Sequence, residues 1–231
     1  MKIILTREEE DIEKDKKLFE KEGFTVIELP LIKATSLDFE LPLSDYDYIV
    51  FQSKRAIRYF LEKEQIPDKA KIIVVGRKTA EELKKYGYKA DLIPDEENVQ
   101  GLVRLFKKLR KGKVLIPRSK IGRDELIEFL RRENFTVFPV NVYTVEPVLY
   151  DERFLLEKLK GDFIVFYSPS AVKAFFANLQ KYGIGKEKLR LKYIAIGKTT
   201  KESLYSFDVK DVLIPQKPNT EHIIKLLKSV A

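Results

Sequence analysis

The sequence predicts an α/β protein built from two similar, doubly wound parallel-sheet halves. Short apolar runs rich in Val, Ile and Phe alternate with amphipathic stretches of about 10 to 15 residues, which is the pattern of βα units in a parallel sheet. The same series of units occurs twice along the 231 residues. A chain of this length can form two cores of roughly 110 residues each, the usual size of one domain.

The apolar runs are predicted as strands, and they suffice for two sheets of five. The stretches between them, such as Glu8–Lys21 and Asp124–Glu133, have the spacing of amphipathic helices. In chain order the predicted strands are Lys2–Thr6, Thr25–Leu29, Tyr48–Gln52, Lys71–Val75, Ala90–Ile93, Lys113–Ile116, Thr136–Tyr143, Asp162–Tyr167, Lys192–Ile196 and Asp211–Ile214.

Two kinds of unit repeat along the chain. Residues 2–32 align without gaps with residues 113–143, so that Arg7 matches Arg118; we name these units A1 and A2. Residues 48–94 and 163–215 are named B1 and B2, because YIVFQSKRAIRYF matches FIVFYSPSAVKAF, KIIVVGRKT matches KYIAIGKTT, and KADLIP matches KDVLIP. The order of units is therefore A1, B1, A2, B2.

An A unit supplies two strands and a B unit supplies three, so each sheet needs one of each. The pattern leaves open whether A1 shares a sheet with B1 or with B2, since a connection of about ten residues can cross between domains as readily as stay within one. The crossovers are expected in the two stretches of weakest periodicity, Ala34–Ser44 and Glu146–Gly161.

The composition excludes several kinds of site. Because the chain has no Cys and a single His, we expect no disulfide, no thiolate nucleophile, no catalytic triad and no zinc site. The N-terminal residues contain no long apolar stretch, so we expect a soluble cytoplasmic protein without signal peptide or membrane span. A charged fraction of 35% with a single Met suggests a thermophile source.

The net charge of +8 favours an anionic partner such as a nucleic acid, a phosphate ester or a polycarboxylate. The alternative explanation is structural, because Lys and Arg lie beside Glu and Asp along helical segments, where pairs on solvated faces are ordinary. The basic residues are dispersed among acids and form no stripe with interleaved aromatics, so nucleic acid is the least favoured partner.

Ligands of open parallel sheets bind beyond the carboxyl ends of the strands, where helix N-termini present free N–H groups. We therefore expect the chemistry in the cleft where the strand-end loops of the two halves face each other. One repeat-related pair of these loops carries serines, with Ser53 in the first loop and Ser168-Pro169-Ser170 in the second. Helix capping explains these residues as well as ligand contact does.

A second pair of loops consists of glycine turns that open helices, Gly76-Arg77-Lys78-Thr79 and Gly197-Lys198-Thr199-Thr200. Both are predicted to cradle an anion. Neither is a Walker loop, since Lys192 occupies the position where that motif requires a glycine upstream of Gly197. No G-x-G-x-x-G follows a strand, so neither ATP nor a dinucleotide is expected.

The other candidate residues favour structural roles. His222 lies in a predicted C-terminal helix that starts near Thr220, and Asp95-Glu96-Glu97 is predicted as an acidic turn before the helix at Asn98. What remains is a site of hydroxyls, backbone amides and cations, with Tyr143 and Tyr167 near it. Such a site suits the binding of a polyanion better than hydrolysis.

A set of short motifs occurs in the A-B-A-B order along the whole chain: Thr6-Arg7, Phe51-x-Ser53, Gly76-x-x-Thr79-Ala80, Val142-Tyr143, Phe166-x-Ser168-Pro169-Ser170 and Ile196-Gly197-x-Thr199-Thr200. No single motif is specific, but their order and spacing together are. In this respect the chain resembles uroporphyrinogen-III synthase.

The resemblance implies a lyase of porphyrin and heme biosynthesis that uses neither cofactor nor metal. It would close the linear tetrapyrrole hydroxymethylbilane to uroporphyrinogen III, with inversion of ring D and loss of water. The implied fold has two flavodoxin-like domains joined by a two-stranded hinge, with A1 beside B2: residues 1–34 and 147–231 form one domain and residues 35–146 the other. We expect a monomer that can make transient contact with the preceding enzyme of the pathway.

The resemblance also implies that Tyr143 is the side chain with the largest catalytic effect and that Thr79 is a second catalytic candidate. Gln52 departs from the family pattern, which often has Thr before the serine. The residues expected to hold the substrate lie in strand-end loops and helix starts: Arg7, Ser53, Gly76, Asn98, Arg118, Ser168, Pro169, Ser170, Gly197, Thr199 and Thr200.

A second interpretation has the same fold but no catalytic activity. In it, the protein is a non-catalytic, two-lobed regulatory protein that closes on an anionic effector and changes a contact with a partner. Only a measurement of activity distinguishes it from the enzyme.

Overall fold

The computed structural model describes residues 1–43 and 45–230. The chain forms two compact units: unit 1 combines Met1–Ala34 with Glu146–Ala231, and unit 2 is Thr35–Val145. Ser44, at the end of an expected crossover, and Ala231, at the end of an expected domain, lie outside the described residues. The second junction between the units falls one residue before the boundary that the family resemblance implied.

Strands and helices alternate along most of the described chain. The strands are β1 (Lys2–Leu5), β2 (Thr25–Glu28), β3 (Ile32–Ser36), β4 (Tyr48–Phe51), β5 (Lys71–Val74), β6 (Lys113–Ser119), β7 (Thr136–Pro147), β8 (Phe163–Phe166), β9 (Lys192–Ala195) and β10 (Val212–Leu213). The helices are α1 (Glu9–Lys21), α2 (Lys54–Leu61), α3 (Arg77–Lys84), α4 (Val99–Phe106), α5 (Glu125–Arg132), α6 (Glu152–Lys158), α7 (Pro169–Lys181), α8 (Lys198–Tyr205) and α9 (Thr220–Ser229), with a short 3-10 helix at Lys186–Lys188.

Unit 1 contains a five-stranded parallel sheet in the order β10-β9-β8-β1-β2. When the five strands are numbered by their order along the chain within unit 1, this is the flavodoxin-like order of doubly wound sheets. The A1 strands β1 and β2 lie beside the B2 strands, with Ile3 opposite Phe163 in the register. The structure therefore joins A1 to B2, as the family resemblance implied.

Unit 2 contains a five-stranded sheet in the order β3-β7-β6-β4-β5. The A2 strands β6 and β7 lie beside the B1 strands β4 and β5, in parallel pairs. The order from β7 to β5 thus repeats that of unit 1, and β3 is added next to β7. Because the chain passes between the units within β3 and β7, the connection is two-stranded. The predicted fold class is confirmed.

Both faces of the unit 1 sheet are buried, because successive side chains of a strand point to opposite faces. Along β1, Ile3 and Leu5 pack with Phe19 of α1 and Ile223 of α9. Ile4, on the other face, packs in a separate cluster that includes residues of α7. This explains why the strands read as continuous apolar runs.

Several helices begin and end at residues that local chemistry favours. Asp151 caps α6 by accepting a hydrogen bond from the N–H of Phe154. The repeat-related helices α1 and α5 are followed by Gly23 and Asn134, which adopt left-handed conformations with φ of 83° and 62°. Glycine and asparagine are the residues that tolerate this conformation best, so the A units end their helices alike.

The strand predictions are wrong at two places. The predicted strand Ala90–Ile93 is a single bridge between Leu92 and Ile73. The side chain of Asp91 accepts a hydrogen bond from the N–H of Ile72 at 2.7 Å. Pro94 ends the pairing because it has no N–H. Conversely, β3 was not predicted, since it lies at the edge of its sheet and is only partly buried, which leaves no strong apolar run in the sequence.

Candidate active site

Two of the three predicted serines of the strand-end loops, Ser53 and Ser168, are helix caps. The Oγ of Ser53 accepts a hydrogen bond from the N–H of Ala56 at 3.1 Å, and the Oγ of Ser168 accepts one from Ala171 at 3.2 Å. Pro169 is the first residue of α7, as predicted. Both serines and Ser170 are half-buried. Since a capping hydroxyl uses its oxygen as an acceptor, its proton remains available for a second partner.

Tyr143 lies in β7 and is buried, with 7% of the residue exposed. Its phenol oxygen is 3.5 Å from the Oγ of Ser53, which is a close contact but about 0.5 Å beyond the usual range of hydrogen bonds between hydroxyls. Its ring is stacked on Tyr59 of α2, with centroids 5.2 Å apart and an angle of 21° between the planes. The structure thus brings two of the predicted residues, Ser53 and Tyr143, to one place in unit 2.

The predicted glycine turns open helices in both units. Gly76 is the N-cap residue of α3 and Gly197 that of α8, both in extended conformation. The threonines at the matching positions, Thr79 and Thr200, are 5% and 1% exposed, whereas Thr199 is exposed. Of the predicted threonines, Thr199 therefore offers the most accessible side chain to a ligand.

A carboxylate of the chain itself covers the start of α3. The Oε2 of Glu97 accepts a hydrogen bond from the N–H of Arg77 at 3.1 Å. A Cβ atom added to Gly76 would meet the same oxygen at 2.4 Å. At the start of α8, a Cβ atom added to Gly197 would meet only Pro218, at 4.0 Å. The N-terminus of a helix favours an anion. At the start of α3 this anion is the carboxylate of Glu97, which belongs to the chain itself.

The two predicted arginines are bound within their own units. Arg7 forms ion pairs of 2.9 Å with both Asp11 and Asp15, and its guanidinium lies 4.7 Å from the ring centre of Tyr167. Burial lowers the pKa of Arg7, but the two carboxylates raise it by more, so the side chain stays charged. Burial, reinforced by Asp15, raises the pKa of Tyr167, which keeps that phenol neutral.

Arg118 is also held by neighbours in its loop. It donates from Nε to the carbonyl of Ser119 at 3.2 Å, and further contacts join it to Asp124 and to the carbonyl of Gly122. Asn98, the last predicted residue, is the N-cap of α4 and accepts a hydrogen bond from the N–H of Gly101 at 2.9 Å. These contacts place Arg118 and Asn98 within unit 2, and their contact with a substrate stays a prediction.

Sequence reasoning missed Tyr59, and it placed Glu97 in an acidic turn without predicting its contact with the start of α3. A signal was available in the repeat, because the alignment of B1 with B2 places Tyr59 opposite Ala174 and Glu97 opposite Pro218. Where two similar units carry side chains of different size or charge at aligned positions, the fold does not require that side chain. Such positions are therefore candidates for a role that only one unit has.

In the part of the chain that the structure describes, no group of three or more His, Cys, Asp or Glu residues is placed to hold a metal ion. Over the same residues, no helix is both long and apolar enough to span a membrane.

Two solved structures resemble this chain in fold. Uroporphyrinogen-III synthetase from Helicobacter pylori has a TM-score of 0.72 at 19% identity, and covers 100% of this chain and 99% of its own. A mutant uroporphyrinogen III synthase from Thermus thermophilus has a TM-score of 0.60 at 20% identity, with 100% and 98% covered. At these identities the likeness shows the fold.

Sequence comparison identifies relatives. A protein of Methanocaldococcus jannaschii, provisionally named a uroporphyrinogen-III synthase, is 31% identical over 245 residues, covering 100% of this chain and 99% of the relative. The uroporphyrinogen-III synthase of Chlorobaculum parvum is 25% identical, with 93% and 92% covered. That of Synechococcus elongatus is 30% identical over 52% of each chain.

The family described as "Uroporphyrinogen-III synthase HemD" matches residues 13–225. None of these findings supports the alternative of a non-catalytic regulatory protein. Because the family match spans most of the chain and a relative with 31% identity aligns over its full length, the chain belongs to the uroporphyrinogen-III synthase family.

Proposed function

We propose that this chain converts hydroxymethylbilane to uroporphyrinogen III, inverting ring D and releasing water. The observation that carries the proposal is the family match over residues 13–225. The geometry adds a buried tyrosine, Tyr143, whose phenol oxygen lies beside a serine hydroxyl that starts a helix. This arrangement is suited to donating a hydrogen bond to a hydroxyl group.

The substrate is a flexible polycarboxylate, and the helix starts supply its binding groups. At the start of α8, Gly197 leaves room for close approach, and Lys198 and Thr199 are exposed. The N–H groups of a first helical turn and a cation beside them favour a carboxylate. The start of α7, with Ser168, Pro169 and Ser170, is proposed to hold a second one. We propose that Thr79 and Thr200, which are almost fully buried, fix the first turns of their helices.

The bond changes take place within the substrate. The C–O bond of the hydroxymethyl group breaks and the hydroxyl leaves as water with one proton. The azafulvene that remains is attacked by the substituted α carbon of ring D, giving a spiro intermediate. The bond from that carbon to the methylene bridge of ring C then breaks, and the methylene bonds to the free α carbon of ring D, which loses a proton and leaves the ring inverted. The protein contributes mainly by holding the chain in this geometry. Tyr143 donates a hydrogen bond to the departing oxygen, a role that a phenolic O–H group can fill.

A direct test supplies freshly made hydroxymethylbilane and resolves the type I and type III isomers of the product. Spontaneous closure yields the type I isomer, so an enzyme of this family enriches type III. A ratio of isomers equal to that without protein would reject the proposed activity and favour the regulatory alternative.

A substitution tests the role of Tyr143. The variant Tyr143→Phe keeps the ring and loses the hydroxyl, so we expect kcat to fall by roughly 100-fold with little change in KM, the usual loss for a missing proton donor. Tyr86→Phe is the matched control, since Tyr86 is a surface tyrosine of the same unit with 40% of its area exposed. Equal kcat in the two variants would eliminate the role of Tyr143.

We further propose that the protein acts as a monomer in the cytoplasm of a thermophile. The content of 35% charged residues supports the thermophile source, and the absence of Cys supports the cytoplasm. The monomer is proposed because the sequence predicts no exposed apolar helix face that would need a partner. Light scattering during size-exclusion chromatography measures the oligomeric state. A mass other than about 27 kDa would reject the monomer, and a mesophilic unfolding temperature would count against the thermophile source.

A further inference from the structure

The stack between Tyr59 and Tyr143 distinguishes unit 2 from unit 1. Tyr59 lies on α2, is half-buried, and places its ring 5.2 Å from that of Tyr143 at an angle of 21°. Tyr143 itself is almost fully buried. The stacked face of Tyr143 is therefore covered by another aromatic ring.

The equivalent positions of unit 1 are aliphatic. The unit alignments place Ala174 opposite Tyr59 and Ile32 opposite Tyr143. Ala174 is 2% exposed and Ile32 packs against the same apolar cluster. The next position of each helix is the same in both units, since Phe60 matches Phe175 and both are fully buried. The packing of this helix on this sheet thus does not require two tyrosines.

Helix α2 and its N-cap residue contact Tyr143 at two points. Tyr59 covers its ring, and Ser53, which starts the same helix, lies 3.5 Å from its phenol oxygen. The Ser53 hydroxyl is itself anchored by the N–H of Ala56. A ring that is stacked on one side and has a hydroxyl close to its oxygen can adopt few orientations. This matters because reaction rates are sensitive to displacements of about 1 Å in a reacting group.

We propose that Tyr59 is a positioning residue for Tyr143: by stacking on the ring, it holds the phenol in the orientation that donates to the departing hydroxyl of the substrate. This inference rests on the proposed function, and specifically on the role of Tyr143. Tyr59 acts through Tyr143 and not by contact with the reacting atoms.

The experiment is a double-mutant cycle in kcat and KM. The four proteins are the unchanged enzyme, Tyr59→Leu, Tyr143→Phe and the double variant. Tyr59→Phe keeps the ring and tests rescue. The matched control is Phe39→Leu, because Phe39 also stacks on α2, against Phe60 with centroids 6.0 Å apart and an angle of 16°. Thermal unfolding is measured for every variant.

We expect Tyr59→Leu to lower kcat about tenfold and to change KM less than about twofold. Tyr59→Phe recovers most of the lost kcat. In the Tyr143→Phe background, Tyr59→Leu lowers kcat by less than about twofold further, because the phenol it positions is absent. Phe39→Leu lowers the unfolding temperature at least as much as Tyr59→Leu, yet keeps kcat within about twofold.

Four results overturn the inference. If Tyr59→Leu keeps kcat, or lowers it equally in both backgrounds, Tyr59 does not act through the phenol, while the role of Tyr143 stands. If Phe39→Leu lowers kcat as much as Tyr59→Leu, the effect is general to α2. If Tyr143→Phe keeps kcat, the role of Tyr143 in the proposed function fails and the positioning role with it.

Discussion

Helices α3 and α8 occupy equivalent places in the two units, but α3 makes two carboxylate contacts whose counterparts in α8 are absent. Glu82 of α3 is 3% exposed and accepts hydrogen bonds from Arg58 at 2.6 Å and Lys85 at 2.8 Å. The alignment of B1 with B2 places Ser203 at this position of α8. Glu97 covers the start of α3, and Pro218 is its counterpart beside α8.

This difference indicates that two loops with one sequence pattern have different roles. Both turns combine a glycine, a cation and buried threonine at a helix start, and either could cradle an anion by its local chemistry. In unit 2 the anion is Glu97, so the turn stabilises the fold. In unit 1 the same position is Pro218, which carries no charge, so we expect this turn to be the stronger site for a substrate carboxylate.

The largest effect is expected at Glu82. Glu82→Gln should lower the free energy of unfolding by about 2 kcal/mol at pH 7, because the amide carries no charge and has one acceptor oxygen in place of two, which leaves one of the two charged donors without its acceptor. Burial raises the pKa of Glu82, but the hydrogen bonds from Arg58 and Lys85 lower it by more, to below its ordinary value of 4.5. The carboxylate therefore stabilises the fold above about pH 4.5, and this is lost as the pH falls and the carboxylate is protonated.

Urea unfolding at pH 7 and at acid pH measures this dependence. The exposed neighbour on the same helix, Glu81, supplies the control variant Glu81→Gln. A difference between Glu82→Gln and the unchanged protein that persisted at the lowest pH would contradict the assignment.

Adding a methyl group to each glycine compares the two turns directly. Gly76→Ala forces the side chain of Glu97 to move, since both its Oε2 and its Cβ would lie within 3.0 Å of the new atom, and we expect a loss of about 1.5 kcal/mol in stability. Gly197→Ala meets only Pro218 at 4.0 Å and should change stability by less than about 0.5 kcal/mol. Thermal unfolding of the two variants side by side is the measurement; equal losses would break the comparison.

Copying the acid of unit 2 into unit 1 tests the open turn. Pro218→Glu should raise the KM for hydroxymethylbilane about fivefold, because an internal carboxylate then competes for the start of α8, at a cost of about 1 kcal/mol in binding. Pro218→Gln controls for the loss of proline. If both variants showed the same KM, charge at this turn would have no part in substrate binding.

The smallest effect is expected from the reverse change. Glu97→Gln removes the charge at the start of α3 and should lower stability by about 0.5 kcal/mol, since Glu97 is partly exposed. KM should fall by no more than about twofold. Asp95→Asn, an exposed acid in the same turn, is the control. A large drop in KM would mean that Glu97 blocks a substrate site and would reverse the ranking of the two turns.

The sequence predicted the parts of the fold that depend on neighbouring residues. The helix starts at Ser53, Ser168 and Gly197 were anticipated because capping involves residues only a few positions apart. The strand at Ala90–Ile93 failed because Asp91 binds a backbone N–H of the adjacent strand, and the edge strand β3 was missed because edge strands need no apolar run.

The candidate site was less accessible to sequence reasoning. Tyr143 was identified by resemblance to a family, and no local pattern distinguished it from a packing residue. Its neighbour Tyr59 lies 84 positions earlier in the chain, and Glu97 lies 20 positions after the helix start that it covers. Side chains so far apart meet only once the sheet has formed.

Periodicity, repeats and composition by themselves determined that this chain has two α/β halves with loops suited to anions and without thiolate chemistry, because these properties are local or additive. The tertiary structure decided which half-units share a sheet: Ile3 pairs with Phe163 and not with a strand of B1. Strands with the same apolar pattern are interchangeable in sequence, and hydrogen-bond register together with core packing selects one partner. The same long-range packing places the carboxylate of Glu97 at the start of α3 and the ring of Tyr59 against that of Tyr143.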